Sequence, residues 1–277
     1  MPAPDRYAVI GHPVAHSRSP RIHSLFALQT HQNLIYSALD TPPPLLAQRV
    51  RDFFSGGGRG LNVTVPHKQT VIALTDSLTE RARAAGAVNT LASDAGGALV
   101  GDNTDGVGLV RDLTLNLQIT LTSRRVLLLG AGGAARGILA PLLQLEPQQI
   151  IIANRSVERA VGLAAAFATL GNVRGGGFAE LDGPAFDLIV NATAASLQGE
   201  VPPLPASVLG AGTICYDLAY ARGDTPFTLW ARAGGAAGAH MGLGMLVEQA
   251  AESFHIWRGI RPLTAPVLAA LARFDQG

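Results

Sequence analysis

The chain has 277 residues, enough for two domains at roughly 150 residues each. Hydrophobic residues make up 48% and charged ones 15%, and 21 basic against 20 acidic side chains leave a formal +1, which excludes a charged disordered chain and argues against a nucleic-acid binder. No apolar run approaches the ~18 residues of a membrane span, the first residues lack the basic and apolar parts of a signal peptide, and one cysteine, Cys215, excludes an internal disulfide or a cysteine metal cluster, so a cytoplasmic protein using neither membrane nor metal is expected.

In chain order, residues 6–11 read as a short apolar strand. Ser19 before Pro20 reads as a helix start, with a hydroxyl N-cap and proline at the first helical position, and the helix runs to about residue 29. Residues 34–39 form a strand, 42–54 a helical stretch opened by three prolines, and 61–65 a third strand. Residues 88–91 and 98–100, joined by a turn over 93–97, read as a hairpin. The alternation predicts an α/β unit with a largely parallel sheet. A second unit begins near Arg124: strands over 126–129, 149–153, 187–191 and 213–216, with a helix over 157–170, give the doubly wound pattern. Residues 234–244 are glycine-rich and read as a hinge or turn, and helices follow over 246–257 and 265–274.

The strand at 126–129 runs into Gly130-Ala131-Gly132-Gly133-Ala134-Ala135, a G-x-G-x-x-A turn before a helix. The first glycine permits the turn, the second lets a pyrophosphate approach the backbone, and the small third position lets helix and sheet close up. Gly130, Gly132, Gly133 and Ala134 are therefore candidate dinucleotide contacts, with the helix amides facing the phosphates. The next strand ends in Asn154-Arg155-Ser156, with Arg159 one turn later, and has no carboxylate for a ribose 2′-hydroxyl. An amide, a hydroxyl and two guanidinium groups suit a 2′-phosphate, which favours NADP; the competing view is a solvated turn in which Ser156 caps a helix.

Lys68 is the only lysine beside twenty arginines. Arginine does not deprotonate in a protein, whereas a placed lysine can exchange a proton. Lys68 follows Thr64 at the end of the third strand, where ligands of such sheets bind. Ser17 and Ser19, before a helix N-terminus, are candidate carboxylate contacts, unless Ser19 only caps the helix. His16, His23, His31 and His255 lack metal-ligand spacing and read as structural or exposed; His67 reads as a packing neighbour, Cys215 as core, and Trp230 and Trp257 as helix packing.

The segments 16–20, 62–68, 86–90, 101–108, 130–137, 154–156 and 242–250 together resemble the shikimate dehydrogenase family, in the family's order and over nearly the whole chain. The resemblance implies an N-terminal α/β substrate domain (residues 1–105 with 242–277), a Rossmann-like doubly wound NADP domain (106–241), and an interdomain cleft as active site. It implies reversible NADPH-dependent reduction of the 3-keto group of 3-dehydroshikimate to shikimate, in aromatic amino-acid biosynthesis. Lys68 and Asp105 match the family's catalytic pair. Ser17, Ser19, Thr64, Asn89, Tyr220 and Gln249 match substrate-binding positions, and Gly242 and Met245 match positions near the nicotinamide. His12, Met241 and the run 194–196 depart from the usual pattern, which leaves local cofactor contacts at 241 and 194–196 unassigned. The expected partner is the small-molecule substrate, with no nucleic acid and no membrane, and a homodimer is left open. A quinate or aminoshikimate dehydrogenase relative and a non-catalytic NADP-binding regulator are the alternatives.

Overall fold

The computed structural model describes residues 3–94 and 96–275, so Ala95 of the expected hairpin turn and residues 1, 2, 276 and 277 fall outside it. Two six-stranded sheets carry the chain. In chain order the first part contains β1 (Asp5–Gly11), α1 (Ser19–Gln29), β2 (Leu34–Asp40), α2 (Leu46–Ser55), β3 (Gly58–Val63), β4 (Ser77–Leu78), α3 (Glu80–Ala85), β5 (Thr90–Ser93), β6 (Leu99–Asp102) and α4 (Asp105–Arg111). The second part contains β7 (Arg125–Leu129), α5 (Gly133–Leu143), β8 (Gln149–Ala153), α6 (Val157–Phe167), β9 (Val173–Gly176), β10 (Leu188–Asn191), β11 (Ile214–Asp217), α7 (Pro226–Ala233) and β12 (Gly238–Met241), before α8 (Leu243–Arg258) and α9 (Ala265–Asp275). One compact unit holds the chain up to Gly108 together with Val247–Phe274, and the other holds Leu109–Leu246, so the division falls inside α4 and α8.

The first sheet has the order β2-β1-β3-β5-β6-β4. It is more mixed than expected: β1 pairs in parallel with β2 and β3, but the β5–β6 hairpin makes two antiparallel joins. Two-residue β4 adds a parallel edge to β6. The core of this unit gathers Ala8, Ile10, Val50, Phe53, Leu61, Val63 and Leu91.

The second sheet, β12-β11-β10-β7-β8-β9, is parallel throughout. Its central strand β7 shows why a continuous apolar run is needed when both faces are covered: Val126 and Leu128 enter one core cluster, Leu127 and Leu129 the other. This is the doubly wound arrangement, with α5 and α6 against the first of those faces.

Four features differ from the expected elements. The glycine-rich stretch at 234–244 is not only a turn, because Gly238–Met241 pairs in register with Ile214–Asp217 as an edge strand. Val173–Gly176 is a second strand hidden by glycine. At Gly175 an added Cβ would run into the Ala160 backbone of α6, so glycine there is what lets helix and strand close up. At the start of α1, Ser19 is the first helical residue and makes no side-chain cap. The cap-like contact belongs to Ser17, whose Oγ accepts the Ser19 N–H at 3.3 Å. Helix α6 also ends at Phe167, earlier than the expected residue 170.

Candidate active site

Strand β3 ends at Val63, and the chain turns through Thr64 and His67 to bring Lys68 beside the first residue of α4. Two backbone bonds fix that turn: Thr64 N–H donates to Ile10 O at 2.9 Å and His67 N–H to Thr64 O at 2.9 Å. His67 is a structural residue, as expected: buried, with Nε2 2.7 Å from Thr41 O. Lys68 Nζ then donates to Asp105 Oδ2 at 2.5 Å. The lysine side chain is 30% exposed and the aspartate 11%, so the lysine is the more solvent-accessible partner of the pair.

Asp105 is held from behind. Its Oδ1 lies 2.9 Å from Asn89 Nδ2, and its own N–H donates to Asn103 Oδ1 at 3.1 Å. Asn89 Nδ2 also lies 3.3 Å from Gln249 Oε1, and Asn89 Oδ1 accepts the Thr104 N–H at 2.8 Å. Asn89, Thr104 and Gln249 are all buried. Buried amides satisfied by partners on different elements have little freedom, which fixes the carboxylate under Lys68.

The same web reaches Ser19. The Ser19 hydroxyl donates to Tyr36, and Tyr36 Oη donates to Asn62 Oδ1 at 2.7 Å. Asn62 Nδ2 donates to Asn89 O at 3.2 Å and lies 2.9 Å from Ser253 Oγ. Burial drives the Tyr36 phenol well above its ordinary range, so it remains protonated and a donor. The unit thus gathers Ser19, Asn89, Asp105, Lys68 and Gln249 of the expected site, while Ser17 joins through the Ser19 amide. Thr64 is half-buried beside Gly11, where an added Cβ would collide with its methyl group. Tyr36, Asn62, Thr104 and Ser253 were not foreseen. The one hint in sequence was a polar Asn62 between the buried Leu61 and Val63 of a strand covered on both faces.

A second pinning element flanks the loop that delivers Asp105. Arg81 makes a bidentate pair with Asp102, Nε to Oδ1 at 2.6 Å and Nη2 to Oδ2 at 2.7 Å, and reaches Glu252 at 3.0 Å. Burial raises the Asp102 carboxyl, but the bonds from Arg81 and Thr79 outweigh it and leave its pKa lowered.

The other unit holds the remaining expected residues. Gly130 has φ +102°, a conformation that favours glycine, and an added Cβ would lie 3.2 Å from the Ala192 carbonyl. Gly132 differs: its φ of −91° suits any residue, and an added Cβ meets nothing within 4 Å. Nothing among the described residues requires glycine at 132, whereas a phosphate group lying on the backbone at the N-terminus of α5 would. Gly133 is the first residue of that helix, and Ala134 is exposed beside it. At the end of β8, Arg155 and Arg159 are exposed, and Ser156 caps α6, its Oγ accepting the Arg159 N–H at 3.4 Å. Asn154 Nδ2 donates to Ser156 O at 3.0 Å. The Ser156 hydroxyl also donates to Glu158 Oε2 at 2.9 Å, which brings a carboxylate nearer than the sequence suggested. Two open guanidinium groups and the glycine cradle fit a phosphorylated dinucleotide. Tyr220 follows β11 in this unit, Gly242 precedes α8, and Met245 lies in its first turn.

Cys215 is buried core, and burial pushes its thiol up to about 12, which keeps it inert at neutral pH. Among the described residues, no helix is long and apolar enough to cross a membrane.

A doubly wound unit with a dinucleotide turn, and a unit presenting a lysine–aspartate pair inside a buried amide web, define a Rossmann-type oxidoreductase. Residues 9–91 match the family model for the shikimate dehydrogenase substrate binding domain, 113–198 that for shikimate / quinate 5-dehydrogenase, and 242–272 that for the shikimate 5′-dehydrogenase C-terminal domain. A shikimate dehydrogenase (NADP(+)) of Methylococcus capsulatus is 58% identical over 271 residues, covering 98% of this chain and 97% of that protein. The crystal structure of an Ael1 enzyme from Pseudomonas putida superposes with TM-score 0.91 at 46% identity, covering 96% of this chain and 98% of that one. Shikimate 5-dehydrogenase from Thermus thermophilus, solved with NADP(H) and shikimate, gives TM-score 0.85 at 33% identity over 97% of this chain and 99% of that one. The chain belongs to the shikimate dehydrogenase family.

Proposed function

We propose that this protein catalyses the reversible NADPH-dependent reduction of 3-dehydroshikimate to shikimate. The observation that carries the reading is the Lys68–Asp105 pair held by Asn89 and Gln249, in a chain 58% identical to a shikimate dehydrogenase (NADP(+)). Residues up to Gly108 with Val247–Phe274 form the substrate unit, and Leu109–Leu246 the dinucleotide unit. Gly130, Gly132, Gly133, Ala134, Asn154, Arg155, Ser156, Arg159, Gly242 and Met245 would hold the dinucleotide, which when bound would supply the hydride for reduction and accept it in the reverse direction.

The protein's own work concerns a proton and an orientation. Lys68 Nζ donates a proton to the carbonyl oxygen as negative charge develops there, and accepts it in the reverse direction. Its partial exposure lets solvent restore the proton. Asp105 does not stabilise that oxygen; it keeps the ammonium and a substrate hydroxyl in register, itself fixed by Asn89. Ser17 offers its hydroxyl proton to the substrate carboxylate, since its oxygen already accepts the Ser19 amide. Ser19 serves the same carboxylate once its hydroxyl turns from Tyr36. Thr64, Asn89, Tyr220 and Gln249 take the ring hydroxyls. The protein acts in the cytoplasm on a diffusing small molecule, and light scattering in solution decides whether it does so as a homodimer.

The test is a spectrophotometric assay with shikimate or quinate against NADP or NAD. Shikimate with NADP is expected to be used best, with NADP favoured about tenfold or more over NAD, the size of one or two charge-assisted hydrogen bonds to a phosphate. Equal use of NAD would remove the role given to Arg155 and Arg159, and quinate as the better substrate would reassign the reaction.

A further inference from the structure

Asp112 is a buried carboxylate that the chemistry above does not use. It opens a π-helical turn, Asp112–Asn116, after α4 and is 4% exposed. Its Oδ2 accepts from Tyr216 Oη of β11 at 2.6 Å, and its Oδ1 from Asn116 Nδ2 at 2.8 Å. Tyr216 Oη in turn accepts the Met245 N–H at 3.3 Å, one of the first-turn amides of α8 that has no carbonyl partner within the helix. That turn starts at Gly242, whose carbonyl accepts the Leu246 N–H at 2.9 Å. Gly244 has no room for a side chain, because a Cβ there would overlap the Asp112 carboxylate. The carboxylate therefore lies directly against the backbone of the first turn of α8.

Burial and the neighbouring carboxylate push the Tyr216 phenol well above its ordinary range, so it stays a donor. His240 on β12 is kept toward its neutral form by burial, with Asp112 opposing. Asp217, the next anion, is taken up by Asn191, Ser196, Thr225 and the Ala219 N–H.

A helix N-terminus carries a partial positive charge, which favours an anion and opposes a cation. The two redox forms of a nicotinamide differ in this respect, since the oxidised ring is a pyridinium cation and the reduced ring is neutral. We infer that Asp112, held by Tyr216 and Asn116 against the first turn of α8, is a buried counter-charge that sets the affinity of the Gly242–Met245 turn for the oxidised relative to the reduced dinucleotide. Asp112 is a positioning residue and touches neither ligand. The inference rests on the dinucleotide reading above, and its test needs no turnover.

Dissociation constants for NADP+ and NADPH are measured by calorimetry on the wild type, Asp112→Asn and Tyr216→Phe, each checked for folding by circular dichroism. Asp112→Asn is expected to raise the ratio Kd(NADP+)/Kd(NADPH) about threefold or more, the size of one unit charge acting near a protein surface. Tyr216→Phe leaves the carboxylate in the chain but removes one of its donors and the acceptor of the Met245 N–H, so it is expected to weaken both forms and to change the ratio less than Asp112→Asn does. An unchanged ratio in folded Asp112→Asn, or an equal shift in Tyr216→Phe, overturns the inference. Should Asp112→Asn not fold, the wild type decides: a site with this counter-charge holds NADP+ within about tenfold of NADPH, and a larger preference for NADPH overturns it. A wild type that binds both dinucleotides but leaves shikimate untouched sinks the substrate reading alone.

Discussion

Lys68 gains its character from its neighbours more than from its rarity in the chain. The two oxygens of Asp105 have separate duties, Oδ2 to the ammonium and Oδ1 to Asn89, so the carboxylate keeps a partner when the lysine is removed. Lys68→Ala is therefore expected to fold, with a melting curve close to wild type. Turnover of shikimate should fall about a hundredfold or more, the usual loss of a general acid/base. A plain ion pair of this exposure would contribute about 0–1 kcal/mol to stability and leave turnover intact. Steady-state kinetics beside a thermal melt separate the two, and a loss under about tenfold would move the proton transfer elsewhere. The pair could be anticipated because a single lysine and a family motif both pointed to it. The web behind it could not. Tyr36 and Asn62 are 26 positions apart, and Asn62 and Ser253 are 191 apart, so their meeting is a property of the folded sheet and not of any local pattern.

The turn between β7 and α5 holds two glycines with opposite demands. Gly130 needs its positive φ and its closeness to Ala192, so Gly130→Ala is expected to cost about 1–3 kcal/mol of stability. Gly132 has ordinary backbone angles and open space, so Gly132→Ala should change stability by less than about 0.5 kcal/mol. If a pyrophosphate lies on that backbone, Gly132→Ala should still weaken NADPH binding about tenfold or more, because the methyl group occupies the place of the phosphate. Urea melts and NADPH fluorescence titrations read the two effects, and wild-type affinity in Gly132→Ala would sever the turn from the cofactor. Strong apolar runs such as β7 and β8 were readable because both sheet faces demand them. Strands β9 and β12 were not. Their residues, Val173–Gly176 and Gly238–Met241, carry glycine where close packing at Gly175 or an edge position asks little of the side chain, and glycine in sequence reads as a turn. The Ser17–Ser19 start of α1 was readable as a helix boundary, but which hydroxyl meets the backbone depends on one residue of register.

Stability against acid should differ between the two units. His23 is fully buried, stacked on Tyr36 at 4.1 Å between ring centroids and 5.4 Å from Trp257, and its Nε2 has no hydrogen-bond partner among the described residues. Burial, only partly opposed by a bond with Asn62, lowers its pKa from 6.5 to about 3. The folded chain therefore keeps His23 neutral while the unfolded chain protonates it below about pH 6.5, so stability falls as the pH drops. Between pH 6.5 and 5 this loss amounts to about 2 kcal/mol, and it continues toward pH 3. Asp102 and Glu252 join only at lower pH: burial raises both carboxyls, but their arginine partners win and leave both pKa values lowered, so their contribution is lost as the pH passes below the ordinary carboxylate range. All three residues belong to the unit that contains Trp257, whereas Trp230 packs on Phe227 in the other. Trp230→Phe thus leaves Trp257 as the sole tryptophan reporter of the first unit. In that background the urea midpoint followed by Trp257 fluorescence should fall between pH 6.5 and 5. Adding His23→Phe, which replaces a ring bearing one orphan nitrogen by an apolar ring, should flatten the dependence over the same interval. Parallel slopes in the two proteins would acquit His23 and leave another titrating group in that unit to be found.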